Sequence, residues 1–105
     1  MKYSIPQERL DKMVFKYLNM QYGDLREVNV EHDEITFKKP TSDSEYDILG
    51  YDKISKSLHI YYKLADEISD MFSLEETDSE NVIGRWVEDR YRIKINEIFI
   101  DYYTL

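Results

Sequence analysis

The chain has 105 residues, of which 42% are apolar and 34% charged, enough for one globular domain with a single core. Twenty-two acids against 14 bases give a net charge of −8, which argues against phosphate backbones and anionic membranes as partners. No Cys is present, so disulfide frameworks, thiol nucleophiles and Cys-ligated metals are excluded.

The first predicted element is a helix. Ser4 is placed to cap it, and Pro6 stands at its start, where a missing N–H costs nothing. Leu10, Met13, Val14, Tyr17 and Leu18 then fall on one buried stripe, and Gly23 is the expected stop. Phe15 and Met20 lie off that stripe.

Strands are expected next. Leu25 to Val30 and Ile35 to Phe37 alternate, joined by the polar turn Glu31-His32-Asp33-Glu34. Residues 38–45 read as a loop. A second hairpin joins Tyr46–Tyr51 to Leu58–Tyr62 through residues 52–57. Its second strand puts Leu58, Ile60 and Tyr62 on one face, with His59 and Tyr61 on the other.

The period then changes. Leu64, Ala65, Ile68, Met71 and Phe72 fit a short helix, broken by residues 73–77. Thr77 or Ser79 is the expected cap of a further helix, with Glu80 forming a capping box to Thr77. Val82, Ile83, Trp86, Val87 and Tyr91 make its apolar stripe, and Arg85, Glu88, Asp89 and Arg92 its wet face. Gly84 costs that helix about 1 kcal/mol relative to Ala, so its presence points to close packing. Ile93 to Ile95 and Ile98 to Ile100 read as one strand with a bulge or turn at Asn96-Glu97.

The order is α-β-β-β-β-α-α-β. The expectation is one α+β domain spanning 1–105, an antiparallel sheet of four to five strands with helices packed on one face. The expected core is Leu10, Met13, Val14, Leu18, Leu58, Ile60, Ile68, Phe72, Ile83, Trp86 and Val87.

No catalytic constellation stands out. There is no Ser-His-Asp pattern, HExxH, Gly-rich phosphate loop or calcium-loop spacing. His32 reads as a turn residue beside Asp33 and Glu34, and His59 as a strand histidine. Asp66 and Asp70 stand one helical turn apart, which suits a cation or an acid–base pair but equally the wet face of an amphipathic helix. Tyr46, Tyr51, Tyr61, Tyr62, Tyr102 and Tyr103 fall on strands or the tail, where tyrosine suits sheet surfaces and interfaces alike.

The sharpest local feature is charge. Asp66, Glu67, Asp70, Glu75, Glu76, Asp78 and Glu80 fall within 15 residues that hold no base, and they are the expected interaction surface for a basic partner. Ile, Lys, Asn, Tyr, Phe and Met outnumber Gly, Ala, Arg and Pro by 42 to 11, the signature of an AT-rich bacterial or phage genome.

One segment extends that reading. Met71-Phe72-Ser73-Leu74-Glu75-Glu76 running into Val82-Ile83-Gly84-Arg85-Trp86-Val87-Glu88-Asp89-Arg90-Tyr91 resembles small uncharacterised proteins encoded by marine phages and found in ocean metagenomes. The resemblance covers about residues 46–95 and carries no activity, so no functional residues transfer. It implies a phage gene product, either a minor virion component or a host-takeover factor.

The expectation is therefore a non-enzymatic interaction module with a protein partner, no cofactor, and a cytoplasmic location, since the N-terminus lacks the apolar run of a signal peptide. The alternatives are a self-associating structural subunit, forming a homo-oligomer, and a small metal-dependent enzyme or binder built on the acidic residues.

Overall fold

The computed structural model describes residues 6–31, 33–38 and 48–102. The expected cap at Ser4, the turn residue His32, most of the 38–45 loop, Tyr46 and Tyr103 lie outside the described residues. The order is α1 (Gln7–Tyr22), β1 (Arg26–Glu31), β2 (Glu34–Lys38), β3 (Leu49–Asp52), β4 (Ser57–Tyr61), α2 (Tyr62–Phe72), α3 (Glu76–Tyr91) and β5 (Glu97–Asp101). Among the described residues the fold is α+β: three helices and a five-stranded sheet in the order β1-β2-β3-β4-β5.

The sheet is mixed. The first four strands pair antiparallel, as their hairpin connections require. β5 pairs parallel with β4, from Ser57 opposite Glu97 to Tyr61 opposite Asp101. This overturns the expected antiparallel sheet, and the physical reason is the connection. Two helices separate β4 from β5, and a crossover of that length returns the chain to the starting end of β4. There the Asn96 N–H donates to the Lys56 carbonyl at 2.8 Å.

Register sorts the side chains. Phe37, Leu49, Ile60 and Ile100 stand side by side across four strands, and so do Ile35, Tyr51, Leu58 and Ile98. These residues all belong to or pack against one apolar cluster that also holds Val14, Leu18, Leu64, Ala65, Ile68, Val82, Ile83, Trp86 and Val87 from the helices. Thr36, Gly50, His59 and Phe99 take the alternate positions of their strands.

α1 buries Val14 and Leu18, with Leu10 and Tyr17 half-buried, so its stripe is as expected except at Met13, which is 44% exposed. Met13 lies at the stripe's margin, where the helix turns toward solvent. Polar contacts pin α1 to α3: Arg85 grips Asp11 through two bonds of 2.8 and 2.9 Å, and the Trp86 indole N–H donates to Asn19 at 2.9 Å. Gly23 ends α1 in a right-handed conformation (φ −67°), so it is needed for space and not for a left-handed turn. A Cβ there would press on the Asn19 carbonyl and come within 3.6 Å of the Arg90 guanidinium.

Three further expectations are corrected. Tyr62 opens α2 and does not end the preceding strand. α3 begins at Glu76, so Thr77 and Ser79 lie inside it and neither caps it. Ser79 is fully buried and shares a hydrogen bond with Ser69 of α2 at 2.6 Å, which explains a polar residue in the helix interface. Ile93 to Ile95 are not strand. Arg92 turns left-handed (φ 57°), the Ile95 N–H is taken by the Glu88 carboxylate at 2.9 Å, and the Lys94 carbonyl accepts from the Tyr51 hydroxyl at 2.7 Å. With its backbone so occupied, this segment packs Ile93 and Ile95 on the core instead of extending the sheet. The close packing expected at Gly84 is present: a Cβ there would lie 2.7 Å from Cδ1 of Ile98.

Candidate functional site

The acidic stretch lies on α2, the connection after it, and the first turns of α3. Ser73 makes the connection possible by closing α2 in a left-handed conformation (φ 55°), its N–H donating to the Ser69 carbonyl. Asp66, Asp70, Glu75, Glu76 and Asp78 are exposed, and Glu80 is half-buried.

Glu67 does not belong to that open surface. It turns toward α1, where it accepts hydrogen bonds from the Tyr17 hydroxyl at 2.5 Å and the Tyr22 hydroxyl at 2.7 Å. The hydrogen bond to Glu67, with burial and the Glu67 charge behind it, pushes the Tyr17 phenol up to about 12. Burial first, then the same carboxylate, raises Tyr22 as well. This carboxylate is a helix-to-helix anchor, and the sequence signal for it was the pair of tyrosines, Tyr17 and Tyr22, in the second half of α1.

Three of the other carboxylates, Asp66, Glu76 and Glu80, lie near Tyr102 at the end of β5. The exposed Tyr102 hydroxyl donates to Glu76 at 2.7 Å, and that bond, with the charges of Glu76, Glu80 and Asp66, raises its pKa. The Tyr102 ring stacks on Tyr62 at 5.8 Å, and Tyr62 meets Tyr61 edge-on at 5.0 Å. Burial raises the Glu80 carboxyl above the usual carboxylate value, and neighbouring Glu76 adds to the effect. Three of the seven expected residues thus surround one tyrosine, while Asp70, Glu75 and Asp78 extend the exposed negative surface along the helices.

A second acidic region lies on the sheet. An open depression of about 210 Å³ is lined by Glu34, Thr36, Gly50, Asp52, His59 and Asp101, with Ile35 and Tyr51 contributing to its wall. His59 Nδ1 stands 3.3 Å from Asp101 and its ring stacks on Phe99 at 5.2 Å. Asp52 is already committed, since one carboxylate oxygen accepts the Ile54 and Ser55 N–H groups of the β3–β4 turn. The His59 contacts to Asp101 and Phe99 tie β4 to β5 across this depression.

Asp66 and Asp70 do not line this depression. Among the described residues no three carboxylate or imidazole groups converge as metal ligands, and no helix is long and apolar enough to cross a membrane. Comparison with protein-family models, with curated proteins and with solved structures returns no match for this chain.

Proposed function

We propose that the chain is a non-enzymatic protein-interaction module that receives a basic partner on the acidic surface of α2 and α3. The observation that carries this reading is the exposure of Asp66, Asp70, Glu75, Glu76 and Asp78 within a stretch that has no base. Such a surface steers a cationic partner at a rate that falls as salt rises, because exposed charges are screened beyond about 8 Å at physiological ionic strength. In this reading the helices cover the sheet face that carries Leu49, Leu58 and Ile60, and the His59 face is left to solvent. The AT-rich composition and the segment 71–91 support a phage gene product acting in the host cytoplasm.

The competing role for the same acids is helix stabilisation. Glu76 and Asp78 stand in the first turn of α3, where a carboxylate is worth about 0.3–1 kcal/mol against the helix dipole. The two roles separate in one experiment. A lysine- and arginine-rich peptide is titrated into the wild-type chain, into Glu75→Gln/Glu76→Gln/Asp78→Asn, and into a control with the same loss of charge, Asp24→Asn/Asp33→Asn/Asp89→Asn, all exposed positions. The proposal expects the first variant to lose affinity and the control to retain it. Equal weakening in both variants would reduce the effect to net charge and overturn the proposal.

A further inference from the structure

We propose that the outer edge of β5 accepts an extended basic segment of the partner as an added strand. The inference rests on the proposed function and names the form of partner that it takes.

β5 is an edge of the sheet. The Glu97 N–H points inward to the Lys56 carbonyl, and parallel pairing continues to Asp101. The alternation of a parallel ladder then turns the backbone groups of Glu97, Phe99 and Asp101 toward β4 and those of Ile98 and Ile100 outward. Among the described residues no strand or loop takes up these outward groups. An open row of that kind is a template for strand addition.

Side-chain charge selects the occupant. Glu97, Phe99 and Asp101 share the His59 face, with Glu97 exposed, Phe99 45% exposed and Asp101 half-buried. The edge therefore presents acid, aromatic, acid at every second residue. A second copy of β5 fits it poorly. Antiparallel pairing centred on Phe99 sets Glu97 against Asp101 at both ends, and parallel pairing in register sets each acid against itself. A strand with Lys or Arg opposite Glu97 and Asp101, and an apolar residue opposite Phe99, reverses that repulsion. Past Asp101 the chain leads to Tyr102, which is held by Glu76 with Asp66 and Glu80 nearby. A basic segment laid along β5 would thus run on into the acidic helical surface.

The test is amide hydrogen exchange on the full chain, with a short peptide alternating lysine and valine as probe. Strand addition slows exchange of the Ile98 and Ile100 amides about tenfold or more and leaves the inward Phe99 amide nearly unchanged. A peptide with glutamate replacing lysine gives no protection. The Glu97→Lys variant, altered at an exposed side chain, binds the lysine peptide several-fold more weakly. Peptide binding with resonance shifts confined to residues 66–80, and unaltered exchange at Ile98 and Ile100, would overturn strand addition while leaving the acidic helical surface in place. Failure of the lysine peptide to bind at all would overturn both.

Discussion

Gly84→Ala tests the packing that holds β5 under α3. The added methyl would meet Cδ1 of Ile98 at 2.7 Å, against the 3.5–4.0 Å of ordinary carbon contacts, so about 1 Å of displacement is required. Two effects oppose each other. Replacing a helical glycine by alanine favours the helix by about 0.8–1 kcal/mol. Forcing the neighbour away costs about 0.5–1.5 kcal/mol for an off-rotamer side chain. The contact is with the tip of a half-buried isoleucine, which can swing, so the strain stays at the lower end. The single variant should therefore change stability by less than about 0.5 kcal/mol. The informative measurement is the double-mutant cycle with Ile98→Val, which removes Cδ1. In that background Gly84→Ala should stabilise by about 1 kcal/mol, since only the propensity gain remains. Urea unfolding followed by Trp86 fluorescence supplies the four free energies. Equal effects of Gly84→Ala in both backgrounds would show that residue 84 does not face Ile98, and would refute the docking of α3 on β5.

The remaining predictions concern the core and the tyrosine–carboxylate contacts. Trp86→Ala should cost about 3–5 kcal/mol, because it empties a site with 1% exposure and breaks the bond to Asn19; a melting temperature unchanged from wild type would place Trp86 outside the core. Glu67→Gln should cost about 1–3 kcal/mol, since two phenols donate to one carboxylate, and calorimetry at neutral pH measures it. Tyr17 has its folded pKa raised from 10.0 to about 12, so its contribution is complete below about pH 10 and fades as pH rises through about 12. Ultraviolet titration should accordingly show late tyrosine ionisation that Glu67→Gln moves earlier. Glu80→Gln should stabilise at neutral pH, because a raised carboxyl pKa means that the folded state disfavours the charge; that gain should vanish in acid, where Glu80 is protonated in both states.

Features that local periodicity controls were legible in the sequence. Val14 and Leu18 in α1, Leu64, Ala65 and Ile68 in α2, and the α3 stripe from Val82 to Val87 are buried where a 3.6-residue period puts them. Gly84 was readable because a glycine inside a strong helical pattern needs a reason, and Ile98 is that reason. Features that depend on partners distant in sequence were not legible. The direction of β5 follows from the path of two helices, and its Ile-Phe-Ile alternation is the same for either direction. Ile93 to Ile95 alternate like a strand, yet Glu88 and Tyr51 hold their backbone elsewhere. Proximity in sequence grouped the seven acids, but Tyr17 and Tyr22 draw Glu67 out of the group. The β5 edge was hidden for the same reason, since only topology shows that β5, like β1, ends the sheet among the described residues. Its trace in the sequence is an aromatic between two acids, Glu97 and Asp101.

The claim that a basic partner is received on a defined acidic surface is tested most directly by a residue-resolved map. Backbone amide shifts of the full chain are recorded during titration with a lysine-rich peptide. The account predicts perturbations concentrated in residues 66–80 and continuing through 97–102, weakening together as salt is raised. Shifts spread evenly over the other exposed acids, Asp24, Asp33 and Asp89 among them, would contradict it.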